Sequence, residues 1–290
     1  MVVFATSIVQ PTVLVAVPIL MLMALGARRG GIATFVAVLA TVVVVAGAKD
    51  GIWYAERAWA LVAGGAFAAL SMVRPAWRMT SRAIVSIVGA SAAFAAFLVP
   101  RSDAWSALDW TVSDRLRGGF ATWLDAMAVL RDGQAPSPAL VSAIWRTVEA
   151  QVHVFPALLA IETLAALGVA WWLYVRLARG SDGGLGPVAE FRFNDHLVWV
   201  MIVGLVLLSA RLGDGAARVG ANLAVFMAGL YALRGFAVGL GVSGGISFFG
   251  YAMIALGFVF MAPAVIAFAV LLGVADTWLD LRTRAAALSA

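Results

Sequence analysis

Long apolar runs alternate with short polar connections along most of the chain. Eight runs are present, at residues 3–26, 32–48, 53–73, 83–100, 154–178, 196–212, 218–241 and 246–275. A helix needs about 20 apolar residues to cross hydrocarbon about 30 Å thick, and backbone within lipid must satisfy its own hydrogen bonds. The alternation expected of barrel strands is absent. The pattern therefore predicts an all-α polytopic bundle of about eight transmembrane helices.

The last apolar run is too long for a single upright helix. At 1.5 Å per residue it would extend over about 45 Å. We expect it to be strongly tilted, kinked at Pro263 or broken into two shorter pieces. A broken run would make nine spans instead of eight.

Arginine and lysine in the connections predict the orientation. With eight spans, one side carries Arg28, Arg29, Arg74, Arg78, Arg82, Arg176, Arg179 and Arg192, and the other carries Lys49, Arg57, Arg101, Arg211 and Arg218. The first set is denser, which places it in the cytoplasm and the N-terminus outside. Arg282 and Arg284 would then lie outside, against the same rule. A broken last run would add a ninth span and return these two arginines to the cytoplasm.

The connection at residues 101–153 has a helical period of its own. Between 103 and 131 apolar residues recur every three or four positions, at Trp105, Leu108, Val112, Leu116, Phe120, Trp123, Met127 and Leu130. Charged residues take the opposite positions, at Asp109, Asp114, Arg115, Arg117, Asp125 and Arg131. This predicts one or two amphipathic helices on the membrane surface, interrupted at Gly118 and Gly119. An anchor resting on lipid is the favoured interpretation, and a lid over a pocket is the alternative. A further helix should follow and bend at Pro156 into the fifth span.

Composition agrees with an integral membrane protein. Hydrophobic residues make up 63% of the chain, charged residues only 12%, and the mean hydropathy is +0.99. We therefore expect one membrane domain over 1–290, with four spans in 1–100, the connection at 101–153 and the remaining spans in 154–290. The chain has no cysteine, which excludes disulfides and thiolate chemistry. The net charge of +5 is spread over separate arginines, so it indicates topology and not a nucleic-acid partner.

Several polar side chains fall inside apolar runs and are candidates for ligand binding. Arg234 and Glu162 are ionisable groups at depth, where such groups are functional candidates by default. They are expected to pair with each other, or Arg234 with an anionic ligand, while Glu162 could instead be a protonated structural group. Asn222 and Tyr231 share the helix with Arg234 and complete the predicted ligand-binding set.

The end of the chain carries a second candidate surface. Asp276, Asp280 and Arg284 follow at intervals of four, which places acids and a base on one helix face. Trp278 is expected at headgroup depth. The pattern fits a helix end that anchors the span, or a docking site for a partner protein.

Three patches carry a resemblance to a known family. They are FRFNDHLVW at 191–199, NLAVFMAGLYALRGFAV at 222–238 and LLGVADTWLDLRTR at 271–284. In this order they resemble the YybS-like family of bacterial multi-pass membrane proteins, a domain of unknown function. At fold level that family is similar to the S components of energy-coupling-factor vitamin transporters. The resemblance implies a bacterial cytoplasmic membrane and an ATPase motor as partner, although the first span lacks the AxxxA pair by which S components dock.

Two functions are consistent with these features. The first is a small-molecule transport component, with a polar cavity around Glu162, Asn222, Tyr231 and Arg234 for a small anionic ligand. The second is a non-transporting scaffold that assembles with other membrane subunits. No P-loop, nucleophile elbow or dinucleotide fingerprint is present. We therefore predict no enzyme activity, no cofactor and no metal site.

Overall fold

Helices form all the secondary structure of the described chain. The computed structural model describes residues 11–26, 30–47, 51–130, 137–179, 188–243 and 248–289. Within these ranges the α-helices are α1 (Pro11–Gly26), α2 (Gly30–Val45), α3 (Gly51–Val73), α4 (Met79–Leu98), α5 (Ser102–Leu130), α6 (Pro138–Tyr174), α7 (Val198–Ser209), α8 (Asp214–Val242), α9 (Phe248–Leu279) and α10 (Leu281–Ser289). Short π- and 3-10-helical turns lie between α6 and α7. The all-α prediction is confirmed.

Several helices have the length and apolarity of membrane spans. Among the described residues, four helices are both long and apolar enough to cross a membrane: Met79–Leu98, Pro138–Leu177, Asp214–Val242 and Ile254–Leu279, the last counted across a break described below. Shorter apolar helices lie at Thr12–Ala24, Thr34–Val45 and Asp195–Ser209. These helices support an integral membrane protein, and the count of eight or nine spans stays a prediction.

Helix α1 lies at the centre of the bundle. Its side chains contribute to two hydrophobic clusters that both include α3, α4 and α6; one of them also includes α5, and the other also includes α2 and α8. Leu14 is 1% exposed and Leu22 is 3% exposed, on opposite halves of the helix. A helix that is apolar on all sides is stable when buried in this way, so α1 joins the two halves of the bundle.

Helices α7 and α8 approach each other closely through glycine. A Cβ atom added to Gly220 of α8 would lie 2.6 Å from the carbonyl oxygen of Gly204 on α7. Small residues allow such contacts between membrane helices, where van der Waals packing replaces the hydrophobic effect as the attraction. Gly220 therefore sets the distance between the two helices.

Helix α9 is broken, which was one of the three alternatives predicted for the last apolar run, beside a strong tilt and a kink at Pro263. Met261 has non-helical backbone angles (φ −136°, ψ 33°), two residues before Pro263. A Cβ atom on Gly257 would lie 3.2 Å from Val265, although residues eight apart in a straight helix are separated by about 12 Å along the axis. The chain therefore folds back on itself near Met261.

The part of α9 after Met261, its second arm, runs parallel to α8 and toward the C-terminal end of α8. Gly235 of α8 lies against Ala269, and six residues later Gly241 lies against the side chain of Arg282. Arg282 also donates hydrogen bonds to the carbonyl oxygens of Ala189 and Phe191, next to Arg192. The C-terminal arginines thus lie at the end of the bundle that carries Arg192, which removes the conflict in the predicted orientation. We call this the basic end, and the opposite end, where α5 lies, the α5 end.

The amphipathic segment forms one helix, and the predicted interruption at Gly118 and Gly119 is wrong. Helix α5 runs through both glycines without a break. A Cβ atom at either position would meet no other atom within 4 Å, so these glycines are not needed for close packing. Val112 and Leu116 are buried, as the apolar face predicted. Met127, Leu130 and Arg131 are predicted positions whose side chains lie outside the described residues.

Gly220→Ala should destabilise the protein by about 1 to 3 kcal/mol, because overpacking a tight contact forces backbone shifts. Gly239→Ala, on the same helix but with no atom near its added Cβ, should leave stability unchanged or raise it, since alanine is the better helix former. Thermal unfolding in detergent, followed by tryptophan fluorescence, measures both variants. Equal melting temperatures for the two would contradict the packing role of Gly220.

The positive-inside rule predicts that the basic end faces the cytoplasm. Because the natural chain has no cysteine, single exposed cysteines report the orientation directly. In intact cells Asp125→Cys at the α5 end should react with a membrane-impermeant maleimide. Glu190→Cys at the basic end should react only after the membrane is opened. The reverse pattern would invert the topology.

Candidate functional site

Arg234 is buried in an ion-pair network at the basic end. Its Nε donates to Asp276 Oδ2 at 2.9 Å, and its Nη1 donates to Asp195 Oδ1 at 2.5 Å. The guanidinium also lies 5.5 Å from the ring centre of Phe193, within the range of a cation–π interaction. The residue is only 1% exposed. Arg234 thus has two carboxylate partners from two different chain segments.

Asp276 joins two arginines. Besides Arg234 it accepts a hydrogen bond from Arg282 Nη2 at 2.8 Å, and its side chain is fully buried. A buried carboxylate needs such partners, because an unpaired charge in an apolar surrounding is costly. The network therefore ties α8, the 3-10 turn at Asp195, the second arm of α9 and α10 together.

Asp280 forms a second, exposed contact at the same end. It pairs with Arg192 and accepts a hydrogen bond from the hydroxyl of Thr283 at 2.8 Å. The hydroxyl of Thr283 and then the guanidinium of Arg192 hold the pKa of the Asp280 carboxyl below its usual range. Its backbone is left-handed (φ 42°) and separates α9 from α10, a conformation that aspartate tolerates better than most residues.

The predicted ligand-binding residues do not share one cavity. Arg234 and Tyr231 lie close together at the basic end, where the Tyr231 ring packs against Phe193 at 5.1 Å. Glu162 is half-buried on α6 and forms no hydrogen bond or ion pair with the described residues. The predicted pair of Glu162 and Arg234 is therefore replaced by Arg234 with Asp276 and Asp195. Asn222 lies elsewhere, next to the bend in α6.

The predicted docking residues are also divided. Asp276 points inward to the arginines, so it is not accessible to a partner protein. Trp278 is 64% exposed, and Asp280 and Arg284 are exposed as well. Only these three remain available as a surface, and the left-handed Asp280 interrupts the helix on which the regular spacing depended.

Asn222 compensates for the bend in α6. Val154 has non-helical angles (φ −109°, ψ 15°) just before Pro156, which confirms the predicted bend. In a regular helix the Ala157 amide would bond to the His153 carbonyl. Here the Asn222 side chain stands between them: its Oδ1 accepts from the Ala157 amide at 2.9 Å, and its Nδ2 donates to the His153 oxygen at 3.0 Å. The asparagine thus has a structural role that uses both ends of its amide.

Arg218, one turn earlier on α8, stabilises the same bend. Its Nη2 donates to the carbonyl oxygen of Val152 at 3.3 Å. That oxygen has no helical partner, because Pro156 lacks an amide hydrogen. Arg218 also holds Asp109 of α5 through two hydrogen bonds, of 2.5 and 2.6 Å. Its guanidinium lies 4.8 Å from the ring centre of Trp105, so α5 is fixed to α8 by both charge and stacking.

A second ion cluster fixes α5 to α3. Glu56 is 3% exposed and pairs with Arg57 at 3.0 Å and with Arg115 of α5 at 3.1 Å. Arg57 also donates to the carbonyl oxygens of Val44 and Ala46 at the end of α2. The helical period places Asp109 and Arg115 opposite the apolar face of α5, but in the structure they lie at the border of its buried face and hold the helix in place.

A cavity of about 630 Å³ lies beneath α5. Its volume is in the range of small-molecule sites. The walls come from α3, α4, α5, α6 and α8 and are almost entirely apolar, with aromatic rings from Trp59, Phe94, Trp105, Phe155 and Phe226. The polar side chains on its lining are Glu56, Ser91, Arg218 and Asn222. Of the four predicted ligand-binding residues, the cavity therefore includes only Asn222.

Sequence reasoning missed this cavity because its walls look like ordinary span residues. One signal was available: Glu56 is the only acidic residue in the run 53–73, and an ionisable residue at such a position requires a partner. Within the described residues no three His, Cys, Asp or Glu side chains are grouped as a metal site would require.

The comparison with known families matches the C-terminal half of the chain. Residues 127–277 match the model of a family described as "Predicted membrane protein (DUF2232)". The match covers more than half of the chain and includes α6, α7, α8 and most of α9. No curated protein and no solved structure matches the chain. The resemblance to YybS-like proteins and S components stays a prediction.

Asp276→Asn should destabilise the protein strongly, because it leaves Arg234 and Arg282 buried with less negative charge than they need. Breaking a buried ion pair costs about 3 to 5 kcal/mol. Asp280→Asn, four residues away and exposed, is the matched control and should have little effect. Unfolding by denaturant in detergent micelles compares the two variants. A loss of stability that is the same for both would contradict the role of the buried network.

Proposed function

We propose that this chain, which belongs to the DUF2232 family of predicted membrane proteins, binds a small, largely apolar molecule inside its helix bundle. In this role it serves as the substrate-binding component of a membrane transport process. The observation that carries the proposal is the cavity of about 630 Å³ beneath α5. Apolar walls with a few polar groups are typical of sites for small organic molecules.

The site of the proposal differs from the one predicted from sequence. Arg234 has its charge satisfied by Asp276 and Asp195 and is almost fully buried, so it offers little to a ligand. The cavity, in contrast, lies between helices from both halves of the chain, and α5 closes one side of it. A ligand held there contacts α3, α4, α6 and α8 at once.

The role of α5 as a cover supports the same function. Two ion pairs, Arg115 with Glu56 and Asp109 with Arg218, hold it over the cavity. Each pair involves a residue of the cavity lining, Glu56 or Arg218. Movement of α5 would therefore open the cavity and expose these two groups together, as a ligand-gated cover requires. This favours the lid interpretation of α5 over the simple anchor.

Native mass spectrometry of protein extracted from its host membranes tests the proposal. The wild type should retain a small molecule, and Ala95→Trp, which places an indole into the cavity, should lose it. Ala96→Trp is the control, because Ala96 is exposed on the same helix and does not line the cavity. Retention of the molecule by Ala95→Trp would place it elsewhere. Membrane subunits without any small molecule would favour the scaffold.

A further inference from the structure

The cavity beneath α5 opens sideways, between α4 and α8. Helix α6 packs against both of these helices, whereas α4 and α8 share no extended interface with each other in the described part of the chain. Both helices nevertheless contribute side chains to the cavity lining. The wall of the cavity therefore has a gap along the line between α4 and α8, where helix packing does not close it.

The exposure of the lining residues locates this gap. Ile87 and Phe155 belong to the lining and are only 2% and 6% exposed, whereas Val88 of α4 and Val219 of α8 belong to the same lining and are 58% and 53% exposed. Val88 also shares a helix face with Val85, which is exposed on the outside of α4 and is not part of the lining. Val88 and Val219 thus form two sides of a rim at which the cavity meets the outer surface of the bundle.

The rim on α4 lies at the depth of the hydrocarbon. Helix α4 runs from Met79 to Leu98 and is long and apolar enough to cross a membrane. At 1.5 Å per residue Val88 is about 14 Å from the first residue of the helix, and hydrocarbon is about 30 Å thick, so Val88 lies near the middle of the bilayer. The other exposed lining residues of α4 are Ser91 and Ala95. Their short side chains leave the gap open toward lipid chains.

The side of the cavity that faces water is covered by α5. Trp105 and Val112 of this helix are part of the lining, and ion pairs at Asp109 and Arg115 hold the helix to α8 and α3. A molecule that arrives from water must displace α5 and break these pairs. A molecule that arrives from the bilayer through the gap between α4 and α8 leaves them intact.

The lining suits hydrocarbon better than a polar group. Its polar side chains include Glu56, Arg218 and Asn222, and all three have partners within the protein, in arginines, in Asp109 and in the backbone of α6. The rest of the lining is almost entirely apolar and aromatic. An unfilled apolar space forfeits van der Waals contacts along its walls, and a hydrocarbon chain restores them without leaving an apolar surrounding.

Resting on the proposed function, we propose that the ligand is a membrane lipid that enters from the bilayer. Its hydrocarbon chain passes between α4 and α8 into the cavity, while its polar head remains at the membrane surface and α5 stays in place. The substrate class is therefore a long-chain lipid, and the gap between α4 and α8 is its route of access.

Photocrosslinking from within the bilayer tests this route. The full-length protein is placed in nanodiscs of phosphatidylcholine in which one acyl chain carries a diazirine near its end. A lipid with two long chains stays in the bilayer, and on illumination the diazirine gives a carbene that inserts into neighbouring bonds. Peptide mass spectrometry should find adducts around Trp59 and Phe155, which line the cavity and are each only 6% exposed.

Variants at the rim show whether the chain passes through the gap. Ser91→Trp and Val219→Trp narrow it from opposite sides, and each should lose the adducts around Trp59 and Phe155 while the outer surface is still labelled. Ala92→Trp is the matched control, because Ala92 is exposed on α4 and is not part of the lining, and it should be labelled as the wild type is. Thermal unfolding in detergent identifies the variants that are folded, and either rim variant alone is sufficient.

The outcomes separate this inference from the proposed function. Adducts confined to the outer surface of the wild type, or cavity adducts that survive in the folded rim variants, would overturn the lateral route. If Ala95→Trp still loses the molecule retained from host membranes, the proposed function then stands, with a ligand that reaches the cavity from water beneath α5. Cavity adducts in a protein that retains no small molecule from its host would support lipid entry and contradict the substrate-binding role.

Discussion

The proline in α6 is the constraint on which the architecture around the cavity depends. Pro156 removes one amide donor and bends the helix at Val154, which leaves backbone groups without helical partners inside an apolar bundle. Water cannot satisfy them there, so another helix must do so. Helix α8 supplies both partners: Asn222 bridges the His153 carbonyl and the Ala157 amide, and Arg218 reaches the Val152 carbonyl. The bend thus fixes the register of α8 against α6.

The same contacts bring charge to the cavity lining, which includes Arg218. Arg218 must lie near the bend to reach Val152, and once there its remaining nitrogens need a counter-charge. Asp109 provides it from α5, which brings the amphipathic helix over the space that the bent α6 leaves beside α3 and α4. The position of α5 is therefore a consequence of backbone repair in α6 as well as of its own apolar face. A helix that only rested on lipid would need no such partner in the bundle.

Local features were predictable from the sequence, and long-range pairings were not. Helices, the bend at Pro156 and the broken last segment follow from apolar length and from proline, which act within a few residues. The partner of Arg234 was predicted as Glu162, because both lie at depth within apolar runs. The sharp turn near Met261 brings Asp276 back along α8, and nothing in the spacing of charges records this return. Asp109 and Arg115 were assigned to solvent for a related reason, since helical periodicity gives a face but does not say how wide the buried part is.

The two polar regions of the bundle differ in what they can do. At the basic end, Arg234 and Arg282 pair with Asp276 and Asp195, so the formal charges of these four residues cancel. The side chains of Arg234 and Asp276 are almost fully buried. A balanced, closed network fixes four chain segments and gives a ligand no unpaired charge. At the α5 end an apolar cavity lies between the helices, and Glu56 and Arg218, which hold α5 through Arg115 and Asp109, are part of its lining. A ligand gains free energy by burying apolar surface in such a cavity, whereas a satisfied ion pair must first be broken before it can bind a ligand. Under the proposed function, a ligand binds at the α5 end, and the ion pairs of the basic end hold the helices together.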